Sequence, residues 1–295
     1  MICVKTPEQE DVDTRLAMSV ICVFYPFCVI LRDMEFLRIL YTVAFVSVMA
    51  FAAMADPVRI DSFERMDALA EEVVIAKEVK AVPAFAFAEC VNLRSVVFEQ
   101  GSRCRSIGEC AFYRCCSLKE IELPPSLSEI GKYAFAWCES MEKVHLVNVD
   151  KIGALAFAYC SSLKDVEFSE RLKSVGNNAF SCCTSLEEAL IPSSVSLLES
   201  YAFSGCTSLR RAVLPGNPSL LGELIFSGCT SLEEIVEPSA VPPKFDCESF
   251  LFDPDETGCY AKCRLFVPAR AVPTYRKTRG WHLFSDISPY SKKPY

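Results

Sequence analysis

Histidine is almost missing from this chain: His145 and His282 are the only two in 295 residues. That scarcity leaves little room for a histidine-rich metal centre or for a nucleophile activated by histidine. There is no C-x-x-C pair to suggest a zinc or redox motif, and no glycine-rich loop to cradle a phosphate. A basic stripe is lacking too. The net charge is −8, and residues 56–295 carry 26 basic against 32 acidic side chains. Such a balance keeps a protein soluble but offers no electrostatic footprint for nucleic acid.

What the chain has instead is a repeat. Phenylalanine recurs at Phe87, Phe112, Phe135, Phe157, Phe180, Phe203 and Phe226, at intervals of 25, 23, 22, 23, 23 and 23 residues. Three residues after each comes a cysteine: Cys90, Cys115, Cys138, Cys160, Cys183, Cys206 and Cys229. Three further on stands Leu93, Leu118, Met141, Leu163, Leu186, Leu209 or Leu232. A period of 20–29 residues with apolar residues in fixed register marks a stacked solenoid.

One unit shows the grammar. Ile107-Gly108 opens it, and Ala111-Phe112-x-x-Cys115 reads as a short helix-like turn. Leu118-x-x-Ile121-x-Leu123 alternates as a short strand, which Pro124-Pro125 ends because proline has no N–H for a ladder. Ile130-Gly131, Ile152-Gly153 and Val175-Gly176 open later units in the same way. Ala189, Ala212, Leu198-Glu199 and Ile225 depart from the pattern, so looser packing is expected in the last units.

These residues resemble the BspA-like leucine-rich repeat family, strongly over Val82 to Val236. A degenerate unit, Ser62-Phe63-x-x-Met66-x-x-Leu69, extends the likeness backward, and Leu265-x-Val267-Pro268, Tyr275, Trp281, Phe284 and Ile287 look like the family's closing cap. The resemblance implies an α/β solenoid: a right-handed coil with a parallel β-sheet on one face and short helical turns or irregular segments on the other. The expected organisation is a leader over 1–55, repeats over 56–240 and a cap over 241–295. The family likeness further implies protein partners, reached by adhesion to host, matrix or neighbouring-cell proteins.

The leader holds two apolar runs, 16–31 and 39–55. If translation starts at Met34, Ile39 to Ala52 forms the apolar region of a secretory signal. Ala53-Met54-Ala55 then supplies the small-x-small cleavage site, with Asp56 as the first mature residue. The alternative is that the runs are retained as an anchor, although each is shorter than the roughly 20 residues of a bilayer span. Either way the repeats are expected outside the cytoplasm, as an exported interaction module or as a membrane-tethered scaffold of the envelope.

Of 17 cysteines, seven fall on the repeat position, where stacked side chains point in parallel about 4.8 Å apart. Parallel thiols suit packing better than pairing. Cys247, Cys259 and Cys263 gather near the cap, where a disulfide is one expectation and a zinc site with His282 the sharper alternative.

No catalytic constellation emerges. Strand alternation points His145 outward, and the repeat register turns Cys138 inward. Glu120, Glu122, Asp165 and Glu167 project outward as well, and on a wet sheet they read as a solvated face rather than a hydrolytic pair. No enzyme activity, cofactor, metal or small-molecule substrate is expected. The outward row should run Val97, Glu122, His145, Glu167, Leu190, Val213, Val236, with its last three residues an exposed aliphatic strip for a protein partner.

Overall fold

The computed structural model describes residues 58–60, 70–245, 251–253 and 257–290, all within one compact unit, Ala53–Tyr295. The leader, the degenerate unit at 62–69 and Cys247 lie outside the described residues. Among the described residues eighteen strands follow in chain order. They are β1 (Val58–Ile60), β2 (Glu72–Ile75), β3 (Ala81–Val82), β4 (Ser95–Phe98), β5 (Ser106–Ile107) and β6 (Glu120–Glu122). Next come β7 (Glu129–Ile130), β8 (Lys143–His145), β9 (Lys151–Ile152), β10 (Asp165–Glu167), β11 (Ser174–Val175) and β12 (Glu188–Leu190). The last are β13 (Leu197–Leu198), β14 (Arg211–Val213), β15 (Leu220–Leu221), β16 (Glu234–Val236), β17 (Arg264–Val267) and β18 (Asp286–Pro289).

Each coil contributes one strand to each of two faces, and the assigned pairings are parallel. One face is a continuous seven-stranded sheet, in the order β3-β5-β7-β9-β11-β13-β15. The other comes in three pieces: β1-β2-β4-β6, then β8-β10, then β12-β14-β16-β17-β18. The chain is thus a parallel β-solenoid. Among the described residues the helices are α1 (Thr257–Lys262), α2 (Val272–Tyr275) and a single 3-10 turn at Trp281–Leu283, all beyond the last repeat.

The Ala-Phe-x-x-Cys segment is not helical, which corrects the helix-like expectation. Every such segment holds two residues of positive φ, one on each side of the phenylalanine. Tyr133 (56°) and Trp137 (64°) flank Phe135, and Leu155 (55°) and Tyr159 (62°) flank Phe157. A left-handed residue interrupts the right-handed helix, and the backbone N–H groups turn sideways to the next coil. Phe112 N–H reaches Ala134 O at 2.7 Å, Phe135 N–H reaches Ala156 O at 2.7 Å, and Phe157 N–H reaches Ala179 O at 2.7 Å. These bonds make the turn layer a third hydrogen-bonded wall of the solenoid.

The core follows from the register. Val96 pairs with Ile121, Val144 with Val166 and Ala212 with Ile235, each pair buried between the walls. The phenylalanines stack face to face, Phe87 on Phe112 at 4.9 Å and Phe112 on Phe135 at 5.1 Å, with interplanar angles of 5° and 1°. Burying each ring is worth roughly 2–3 kcal/mol, and each ring contact adds roughly 1 kcal/mol. At Phe203–Phe226 the spacing widens to 6.1 Å and the rings tilt by 26°. The neighbouring Ile225 stands where earlier units have alanine, and the stack loosens there as the sequence suggests.

Glycine sets how closely the coils approach. A Cβ on Gly153 would lie 2.7 Å from the backbone carbon of Gly131 and 2.7 Å from Lys132 N. Gly131 stands in the same way over Gly108, whose carbon would be 2.7 Å away.

Beyond the repeats, β17 and β18 continue the five-stranded sheet. Tyr275, Trp281, Phe284, Leu265, Val267 and Ile287 are buried against its end. Their rings meet edge-on, Tyr275–Trp281 at 5.3 Å and Tyr260–Phe284 at 5.1 Å.

Candidate interaction face

Strand alternation decides which side chains a partner could meet. In β6, β8, β10 and β12 the central residue is buried and the two flanking ones are exposed. Glu122, His145, Glu167 and Leu190 therefore stand in one outward row, and Glu120, Lys143, Asp165 and Glu188 in another beside it. Side-chain contacts tie β8 to β10. His145 Nδ1 meets a carboxylate oxygen of Glu167, and Lys143 Nζ lies 3.2 Å from Asp165 Oδ2. All four side chains stay solvent-exposed, so the pairs contribute little to stability and leave a charged surface available.

The row does not continue as the sequence suggests. Leu190 is exposed at 43 %, but Val213 and Val236 are buried. The register supplies part of the reason. Val213 lies between Leu190 and Val236, and Val236 lies between Val213 and Phe266 of β17. Each valine has a large apolar neighbour on both sides, whereas Leu190 follows the carboxylate Glu167 along the face. The exposed aliphatic strip reduces to Leu190. At the other end of the row Val97 is exposed at 42 %.

The Cys-His nucleophile pair has no geometry. Cys138 is fully buried, and its thiol donates to Phe112 O at 3.2 Å, while His145 faces solvent. The same bond recurs along the column: Cys115 to Phe87 O at 3.1 Å, then Cys160 to Phe135 O, Cys183 to Phe157 O and Cys206 to Phe180 O at 3.2 Å, and Cys229 to Phe203 O at 3.1 Å. Each of these thiols is a donor as well as a filler, a role the apolar reading of the column missed. Burial pushes Cys115, Cys138, Cys160, Cys183 and Cys206 up, Cys160 to about 12, so these five are held as thiols rather than thiolates.

Cys259 and Cys263, four residues apart at the end of α1, are not disulfide-bonded to each other. His282 Nδ1 lies 3.3 Å from Thr278 O. Among the described residues no group of three or more His, Cys, Asp or Glu side chains is placed to hold a metal ion.

A second surface row escapes sequence reasoning. Two residues after each phenylalanine, at the positive-φ positions, stand Arg114, Trp137, Tyr159 and Cys182. The Trp137 and Tyr159 rings stack at 4.1 Å, and the Arg114 guanidinium lies 6.0 Å from the Trp137 ring. The signal was available, since large residues occupy the place where later units carry Gly205 and Gly228.

The repeat grammar, the parallel register and the column of thiols meet a direct match. Residues 58–160 and 145–250 fit the BspA type leucine-rich repeat region, in six copies. The chain belongs to the BspA-type leucine-rich repeat family. The chain is also similar in part to solved leucine-rich repeat structures. One, from Bacteroides ovatus, is 20% identical over 76% of this chain, with a TM-score of 0.43, and the present chain covers 64% of its length. The T. pallidum leucine-rich repeat protein is 30% identical over 57% of this chain and 72% of its own, with a TM-score of 0.41. A leucine-rich cell surface protein from Faecalibacterium prausnitzii is 18% identical over 75% of this chain and 79% of its own, with a TM-score of 0.34. Among curated proteins no sequence matches the chain. The BspA-type leucine-rich repeat is a protein-interaction fold and is typically non-enzymatic.

Proposed function

We propose that this BspA-type protein is an exported, non-enzymatic attachment module of the cell surface. It binds host, matrix or neighbouring-cell proteins through the outward rows of β6, β8, β10 and β12. The observation that carries the reading is the exposed row Glu122, His145, Glu167, Leu190, repeated at coil spacing and bordered by Glu120, Lys143, Asp165 and Glu188. Mixed charge with one aliphatic anchor suits a polar, selective protein interface better than a catalytic one. The residues that form the repeat are committed to packing, so recognition falls to the outward positions.

The test is binding of the full chain to a panel of soluble extracellular-matrix and cell-surface proteins. The comparison is with the combined variant Glu122→Ala, His145→Ala, Glu167→Ala, Leu190→Ser. Affinity should fall at least tenfold with thermal unfolding unchanged, and undiminished binding by the variant would reject this face. Export rests on cleavage after Ala55. N-terminal sequencing of the native protein should begin at Asp56, whereas retention of residues 39–55 would make the protein a membrane-tethered scaffold of the envelope.

A further inference from the structure

Just after each strand of the interrupted face comes an inward position. It is filled by Leu123, Leu146, Phe168, Ile191 and Leu214, and then by Glu237. The backbone treats the later members of this column alike. Leu146 N–H donates to Glu167 O at 2.9 Å, Ile191 to Val213 O at 3.0 Å, Leu214 to Val236 O at 2.9 Å and Glu237 to Phe266 O at 2.9 Å. Glu237 thus holds a leucine's place with a carboxyl group, and its exposure is 0 %. Oε1 accepts the Ser239 N–H at 2.8 Å, while Oε2 has no hydrogen-bond partner, nor does the buried hydroxyl of Ser239. A buried acid with half its acceptors unmet is costly when ionised and far less so when protonated.

Its place in the fold gives that chemistry a consequence. Glu237 sits at the seam where the last repeat strand, β16, meets β17 of the cap. The segment just after it anchors the cap: the Tyr275 hydroxyl donates to Ser239 O at 3.0 Å, and Trp281 Nε1 donates to Pro243 O at 2.9 Å. We propose that Glu237 is a protonation switch at this seam. With the carboxyl protonated, β17 and the cap stay docked. When the proton passes to solvent water, the charged side chain is driven outward and the edge of β16 is uncovered.

Beyond the Ser239 N–H, the surroundings offer the anion no cation. On α2 the facing titratable group is Tyr275, itself pushed up by burial and by Glu237, with Tyr290 beyond it. On β17 the nearest positions are Phe266 and Val267, while Arg264 points outward to Glu234 Oε1 at 2.6 Å. Arg276 is engaged with Ile287 O at 3.1 Å. Desolvation pushes the Glu237 carboxyl up to about 7, against the opposing pull of the Ser239 N–H. A raised folded value means that the docked state holds the proton. Docking is unaffected below the ordinary 4.5, weakens as pH rises from 4.5 to about 7, and levels off above that.

Hydrogen exchange on the full chain at pH 5 and pH 8, corrected for intrinsic rates, tests the switch. The amides of Glu237 and Arg264, which bridge the seam, should lose protection by about tenfold or more at pH 8. The amides of Leu146 and Phe157, inside the repeats, should not change. Glu237→Gln should remove the pH dependence, and Glu237→Leu, matching the rest of the column, serves as a second variant should the amide fail to fold. Three results would each overturn the proposal: a flat wild-type seam, an equal loss in the repeats, or an unchanged loss in the variants.

Discussion

The thiol of Cys138 and the N–H of Cys115 share one acceptor, the carbonyl oxygen of Phe112, each at 3.2 Å. The first bond crosses from one coil to the next, and the second closes the turn within a coil. Replacing Cys138 with alanine keeps the turn and loses the crossing bond along with the sulfur's volume. The expected cost is about 1–2 kcal/mol. Cys138→Ser, which keeps a donor, should lose less than alanine. Urea midpoints at constant m-value decide between the two roles, because a thiol that only fills space would show no advantage for serine.

Thiol reagents should divide the cysteines by layer. In the native protein Cys110, Cys116, Cys182 and Cys259 are partly exposed and should label first, slowly for Cys110, whose burial and nearby Glu109 push it up to about 11. Cys115, Cys138, Cys160, Cys183 and Cys206 should stay silent until the chain unfolds. Mass spectrometry after timed alkylation reads the order directly, and rapid native labelling of Cys160 would contradict the packing.

The same thiols predict an alkaline limit. Their folded values lie above the unfolded value of 9.0, so the folded state keeps protons that the unfolded chain gives up. They add no slope to stability below about pH 8. Stability falls as pH rises through 9, and it falls more steeply with each column cysteine present. Guanidinium unfolding from pH 7 to 10.5 measures the slope, and Cys160→Ala should reduce it.

Phe157 is stacked on Phe135 and on Phe180, both at 5.1 Å. Phe157→Ala should cost about 3–5 kcal/mol, because two ring contacts and a large buried volume vanish together. Calorimetry should show the loss. Phe226→Ala should cost less, since that ring is already 6.1 Å from Phe203 and tilted.

Gly153→Ala should cost about 1–3 kcal/mol although it adds only a methyl group, because the new Cβ would meet backbone atoms of the adjacent coil at 2.7 Å. Gly258→Ala makes the control, since nothing lies within 4 Å of its would-be Cβ. Equal melting temperatures for the two variants would show that the coils are free to separate.

The period of the sequence made the columns legible: the repeat register placed Cys138 inward, and strand alternation placed His145 outward. What escaped depends on partners distant in the chain or on backbone torsion. Val236 looked exposed because its flanking residue Phe266 lies thirty positions beyond it, and Val213 because the residues that flank it, Leu190 and Val236, come from the coils on either side. The turn layer looked helical because its left-handed positions hold Tyr133, Trp137, Leu155 and Tyr159, residues that ordinarily avoid such torsions. Glu237 was open to detection: it occupies the column of Leu146, Ile191 and Leu214, and Pro238 follows it as Pro215 follows Leu214.

The two faces of the solenoid differ in continuity. The sheet from β3 to β15 is an unbroken spine whose spacing the glycines hold. The candidate interaction face is divided between β6 and β8 and again between β10 and β12. At both places the turn layer still bonds coil to coil, Phe112 N–H to Ala134 O and Phe157 N–H to Ala179 O at 2.7 Å. The outward rows therefore owe their even spacing to the spine and the turn layer rather than to a ladder of their own.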